Sequence, residues 1–113
     1  MTTPGFTVTV SLRDPHTVEV RLAGDLTFET AQNLDATIAQ QLLDVPEIRD
    51  LVLDCADIAT IDSTGLSILL MAKRRAQQAN THLHLDNRPM RLDRMLTLTG
   101  THAYLTETPE PPQ

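Results

Sequence analysis

Leu51-Val52-Leu53, the stretch Asp54 to Asp62, and then Ser63-Thr64-Gly65-Leu66-Ser67-Ile68-Leu69-Leu70-Met71 together decide the fold. The first three residues are a continuous apolar run, which predicts a strand covered on both faces and therefore central in its sheet. Asp54 to Asp62 reads as a loop. Ser63 to Ala79 predicts a helix that is apolar on most sides and turns polar at Lys73-Arg74-Arg75, read as a solvated helix end where the macrodipole favours cations.

Upstream of this unit, Val8, Val10 and Leu12 alternate with Thr and Ser, and Val18, Val20 and Leu22 alternate with Glu19 and Arg21. Both are half-buried strands by their period of two, with a turn at Arg13-Asp14-Pro15-His16. Thr27 to Leu43 sets Ala31, Leu34, Ile38 and Leu42 on one helical stripe, with Thr27 as N-cap and Glu29 in the first turn. Downstream, His82 to Asp86 alternates with Leu83 and Leu85 inward. Pro89 opens a third helix through Leu92, Met95 and Leu96, and Gly100 ends it at a left-handed position. A last short strand is expected at Tyr104-Leu105. This order implies an α/β layer with an antiparallel pair at the start of a mostly parallel sheet.

The 113 residues are 41% apolar and only 3% aromatic, so the expected core is aliphatic and base-stacking platforms are excluded. Nine basic against 15 acidic side chains give a formal charge of −6, which disfavours nucleic acid and anionic membrane surfaces as partners. Cys55 stands alone and cannot form an internal disulfide, which fits a reducing, cytoplasmic setting. The reading gives one domain over residues 1–107 and a disordered, proline-rich acidic tail over 108–113.

Candidate chemistry concentrates in Asp57-Ile58-Ala59-Thr60-Ile61-Asp62-Ser63-Thr64-Gly65-Leu66, which leads off the buried strand where open α/β sheets present their working surface. Ser63 sits where an N-cap belongs, and Gly65 lets another backbone approach closely. Ile61 occupies the place of the first glycine of a nucleophile elbow, no phosphate-binding loop ends in Lys-Ser or Lys-Thr, and no general base for Ser63 stands near it in sequence. The expectation is a protein that is not an enzyme. His82, His84 and His102 lack the further ligands that zinc wants, so neither a metal nor another cofactor is expected.

Gly24-Asp25-Leu26-Thr27-Phe28-Glu29-Thr30-Ala31, Ile48-Arg49-Asp50-Leu51-Val52-Leu53-Asp54, Ile61-Asp62-Ser63-Thr64-Gly65-Leu66 and Pro89 with Leu98-Thr99-Gly100 resemble, in that order, the STAS domain of bacterial anti-sigma factor antagonists. The resemblance implies a mixed sheet of four to five strands with three or more helices mainly on one face. It also implies partner switching. Such domains bind an anti-sigma factor that is a GHKL-type serine kinase, which phosphorylates a serine of the Asp-Ser-Ser/Thr-Gly-Leu motif, and a PP2C-type phosphatase reverses the modification. By position the acceptor is Ser63, with Thr64 second. Asp25, Thr27, Phe28, Asp62, Ser63, Thr64 and Gly65 form the implied partner-binding set, and a homodimer is left open. Thr27 departs from the acidic residue that many members carry there, with Asp25 two positions earlier and Phe28 as a candidate apolar anchor. Small STAS subunits of lipid-transporting ABC assemblies resemble this sequence too, and they supply the alternative reading. A phosphate on Ser63 adds about −1.5 to −2 charge at a helix N-terminus expected to receive it.

Overall fold

A computed structural model describes residues 5–45 and 47–106; the expected tail at 108–113 lies outside them. Four strands, β1 (Phe6–Asp14), β2 (Thr17–Leu26), β3 (Asp50–Ile61) and β4 (His82–Asp86), form one sheet in the order β1-β2-β3-β4. β1 and β2 are antiparallel, whereas β2, β3 and β4 are parallel. The helices are α1 (Ala31–Asp44), α2 (Ser63–Gln78), α3 (Met90–Leu98) and α4 (His102–Thr106).

One aliphatic core joins Val18, Val20, Leu22, Leu51, Leu53, Leu83 and Leu85 of the sheet to Leu34, Ile38, Leu66, Leu69, Leu92, Leu96 and Leu105 of the helices. Val52 is buried as well but stands outside that cluster, on the opposite face between Glu19 and His84 in register. The expectation of a strand covered on both faces is thus met for Val52 by polar neighbours and not by a second layer of helices. That face carries the Arg13–Glu19 and His84–Asp50 pairs, with Arg21 between Glu19 and Asp54.

Several local expectations change. Asp54 to Asp62 is not a loop, because β3 continues to Ile61 through register shifts against β2 between Arg21 and Ala23 and between Gly24 and Asp25. The register shifts break the period of two, leaving buried Cys55 and Ile58 three apart, and so hide the pairing from a hydropathy reading. Tyr104-Leu105 lies in α4, a single turn that drives Leu105 into the core, and not in a strand. In β1 only the first inward residues are covered: Val10 and Leu12 are 39% and 60% exposed, since the strand runs past its helical cover. Lys73 is not solvated; it is 3% exposed on α2, and burial lowers the pKa of its ammonium. Arg75 beside it pairs with Asp35 of α1 at 3.1 Å.

Gly24 and Gly100 both have positive φ, +105° and +73°, but differ in their surroundings. A Cβ on Gly24 would stand 1.8 Å from the Gly5 carbonyl oxygen, whereas one on Gly100 meets nothing within 4 Å. Gly100→Ala is expected to cost only the left-handed penalty of about 1–2 kcal/mol. Gly24→Ala adds about 1–3 kcal/mol of overpacking against rigid backbone. Urea midpoints of the two variants check this; equal losses would show that the β1–β2 end yields freely.

Candidate functional site

The parallel strands β2 and β3 end side by side, with Leu26 opposite Ile61 in register. This shared end brings the turn between β2 and α1 against the first turn of α2. The N-cap of α2 is Asp62, not Ser63. One Asp62 oxygen accepts the Gly65 N–H at 2.8 Å and the other accepts the Phe28 N–H at 3.0 Å, so a single carboxylate ties the two segments together. A carboxylate cap offers two acceptors to the hydroxyl's one short reach, which is why Asp62 takes the position and Ser63 becomes the first helical residue. The Gly65 and Phe28 N–H bonds, in that order, hold the Asp62 carboxyl below its ordinary pKa.

Gly65 has the role expected of it: a Cβ there would stand 2.2 Å from the Leu26 carbonyl oxygen. The cap of α1 differs from expectation, because residues 27–30 form a turn and the helix starts at Ala31 with Thr30 as N-cap. The buried Thr30 hydroxyl donates to the Asp25 carbonyl at 2.6 Å and accepts the Thr27 N–H at 2.9 Å. It folds the turn back on itself. Sequence reasoning missed Thr30, although a Thr one position before the apolar stripe was a usable signal.

The proposed contact residues Asp25, Thr27, Phe28, Asp62, Ser63, Thr64 and Gly65 all fall within these two segments. Asp25 accepts the Thr60 hydroxyl at 2.7 Å across the strands. Phe28 is 74% exposed, Ser63 is exposed, Thr27 and Thr64 are half-buried, and Gly65 is buried. Asp57 stands apart, opposite Ala23 on β3. The N–H groups expected to receive a phosphate are partly taken, since Asp62 already uses those of Gly65 and Phe28.

Beside this end, Ile58, Ala59, Pro89, Met90, Arg91 and Arg94 line an open groove of about 660 Å³. Arg91 donates to the Ala59 carbonyl at 2.8 Å, and Met90 is 79% exposed. Sequence reasoning did not find it; Arg91 and Arg94, three apart after Pro89, were the available signal.

The histidines do not converge. His82 and His84 share one face of β4, His84 contacts Asp50 at 2.7 Å, and His102 faces Asp93 on α3 at 3.4 Å. Among the described residues no three His, Cys, Asp or Glu side chains gather as a metal site would require. Burial, then the nearby Asp54 charge, pushes the Cys55 thiol up to about 12, so it packs as a small hydrophobe. Among the described residues no helix is long and apolar enough to cross a membrane.

A family model described as Mlab, STAS domain, matches residues 10–107. The chain belongs to the STAS domain family. Its fold matches the unphosphorylated anti-sigma factor antagonist SpoIIAA at a TM-score of 0.75 and 16% identity, covering 92% of this chain and 90% of that one. An anti-sigma factor antagonist from Mycobacterium paratuberculosis matches at 0.73 and 25% identity, with 88% and 83% covered. A sulfate transporter family protein from Wolinella succinogenes matches at 0.67 and 21% identity, with 79% and 70% covered. The STAS fold thus serves different proteins, and function rests on the site.

The Asp62 tie gives the STAS domain a definite acid response. Its folded pKa lies below the unfolded value of about 3.9, so the carboxylate's contribution is complete above that pH and disappears as pH falls through the folded pKa. Asp62→Asn is expected to have a lower urea midpoint than wild type at pH 7, by a gap that narrows steadily as the pH is lowered below about 3.9. A constant gap across the titration would mean that the charge does not hold the two segments.

Proposed function

We propose that this STAS domain is a cytoplasmic, non-enzymatic binding module that antagonises an anti-sigma factor and so regulates sigma-factor-dependent transcription. The observation that carries the reading is an exposed Ser63 at the first position of α2, next to the Asp62 tie and the exposed Phe28 ring. The partner is a GHKL-type serine kinase, and phosphorylation of Ser63, reversed by a PP2C-type phosphatase, switches binding off. Asp25, Thr27, Phe28, Asp62, Thr64 and Gly65 form the surrounding contact face.

Electrostatics supports this direction of switching. The dianion is added beside the Asp62 carboxylate, which is itself fixed by two backbone N–H bonds and has no freedom to withdraw. A partner seated there must desolvate both charges, and a loss of roughly 2–4 kcal/mol weakens binding by about 30- to 1,000-fold. The fold survives because Ser63 lies outside the core.

The test is incubation with a candidate kinase and ATP, followed by mass spectrometry and a binding titration. Wild type and Thr64→Ala are expected to gain one phosphate and Ser63→Ala none, while Ser63→Glu stays folded and binds about 30- to 1,000-fold more weakly. No phosphate on wild type, together with equal binding by Ser63→Glu, refutes the switch. The family model's description favours one second reading, a STAS subunit of a lipid-transporting ABC assembly. Co-purification with an ABC ATPase encoded by an adjacent gene, with no response to the kinase, selects that alternative.

A further inference from the structure

β1 is the outermost strand of the sheet, and no described residue pairs with its outer edge. The strand is nine residues long, Phe6-Thr7-Val8-Thr9-Val10-Ser11-Leu12-Arg13-Asp14, and its pairing with β2 is regular from Phe6 to Leu12. None of the usual defences of an open edge is in place before its last two residues: it holds no proline, no lysine, no inward charge and no mid-strand bulge. β4, at the other edge, is only five residues long.

The side chains of β1 share the problem of its backbone. Val8, Val10 and Leu12 lie opposite Leu22, Val20 and Val18 and so face the helical layer, yet Val10 and Leu12 remain 39% and 60% exposed. Thr7, Thr9 and Ser11 occupy the other face. Both the unpaired backbone row and the uncovered apolar row call for one more strand.

We infer that β1 pairs antiparallel with β1 of a second copy of this chain, about a two-fold axis at Val10, to give a continuous eight-stranded sheet. The strand is self-complementary in that register. Val10 meets its own counterpart, Val8 meets the partner copy's Leu12, and Thr9 meets its Ser11, so apolar lies on apolar and hydroxyl on hydroxyl. The two charged residues avoid each other as well: Arg13 falls opposite Thr7 and Asp14 opposite Phe6. A register shifted by one residue would set Leu12 against Thr7 or Thr9 of the partner copy and lose the apolar match. Isologous pairing also uses one patch twice, as a closed dimer requires. The inference is independent of any phosphorylation of Ser63.

Sedimentation equilibrium over a wide concentration range tests it on the intact chain. Wild type is expected to rise from monomer towards dimer mass. Val10→Lys places two ammonium groups face to face at the axis and is expected to weaken association by at least about tenfold. Leu12→Lys acts in the same direction, while Leu98→Lys, at a still more exposed leucine on α3, leaves the dimer unchanged. Circular dichroism checks that each variant is folded. A short bis-maleimide is expected to join Val10→Cys chains to one another but not Leu12→Cys chains, whose cysteines lie about 14 Å apart in this register. A monomer at every concentration, a dimer indifferent to Val10→Lys, or a dimer broken instead by Leu98→Lys overturns the proposal.

Discussion

The geometry of the candidate site depends on one carboxylate placed where two parallel strands stop together. β2 and β3 end in register at Leu26 and Ile61, and Asp62 then divides its two oxygens between the first turn of α2 and the turn that leads into α1. Gly65 permits the approach by leaving the Leu26 carbonyl free of a Cβ. The bonds are charge-assisted and serve N–H groups without a helical partner, so they are worth more than neutral ones in the same place.

The tie makes that end rigid without covering it. Phe28 and Ser63 flank a fixed carboxylate and stay in water, and Asp25 is steadied by Thr60. A surface of this kind pays little entropy when a partner seats on it, and it is sensitive to added charge, because its own negative group cannot move away. The groove of Ile58, Ala59, Met90, Arg91 and Arg94 lies beside it with the opposite sign of charge. A partner spanning both would have to present complementary signs in a fixed order, which is a source of selectivity.

Much of this was legible in the amino-acid order. The alternation in Val18, Val20 and Leu22, the continuous Leu51-Val52-Leu53 run and the apolar stripe Ala31, Leu34, Ile38 each give the observed element, since periodicity reports the face on which water is excluded. Element ends read less well. Thr27 and Ser63 were plausible caps by type, yet Thr30 and Asp62 occupy those positions. Asp62 caps α2 through the local Gly65 N–H, and its second oxygen takes the Phe28 N–H, 34 residues away, a bond that spacing along the chain does not announce. The second half of β3 was missed for a related reason: buried Cys55 and Ile58 are three apart among mostly exposed residues, so no period of two shows, and only the partner strand makes them a strand.

The sequence by itself determined the fold class and a core built mainly of aliphatic side chains, because local periodicity and residue type are properties of neighbours along the chain. Tertiary structure alone decided that the Asp62 carboxylate also takes the Phe28 N–H, and that Lys73 is buried while Val10 and Leu12 are left uncovered. Each of those outcomes depends on what another segment brings to the same place. Hydrogen bonding and burial are settled by proximity in space, on which spacing along the chain is silent.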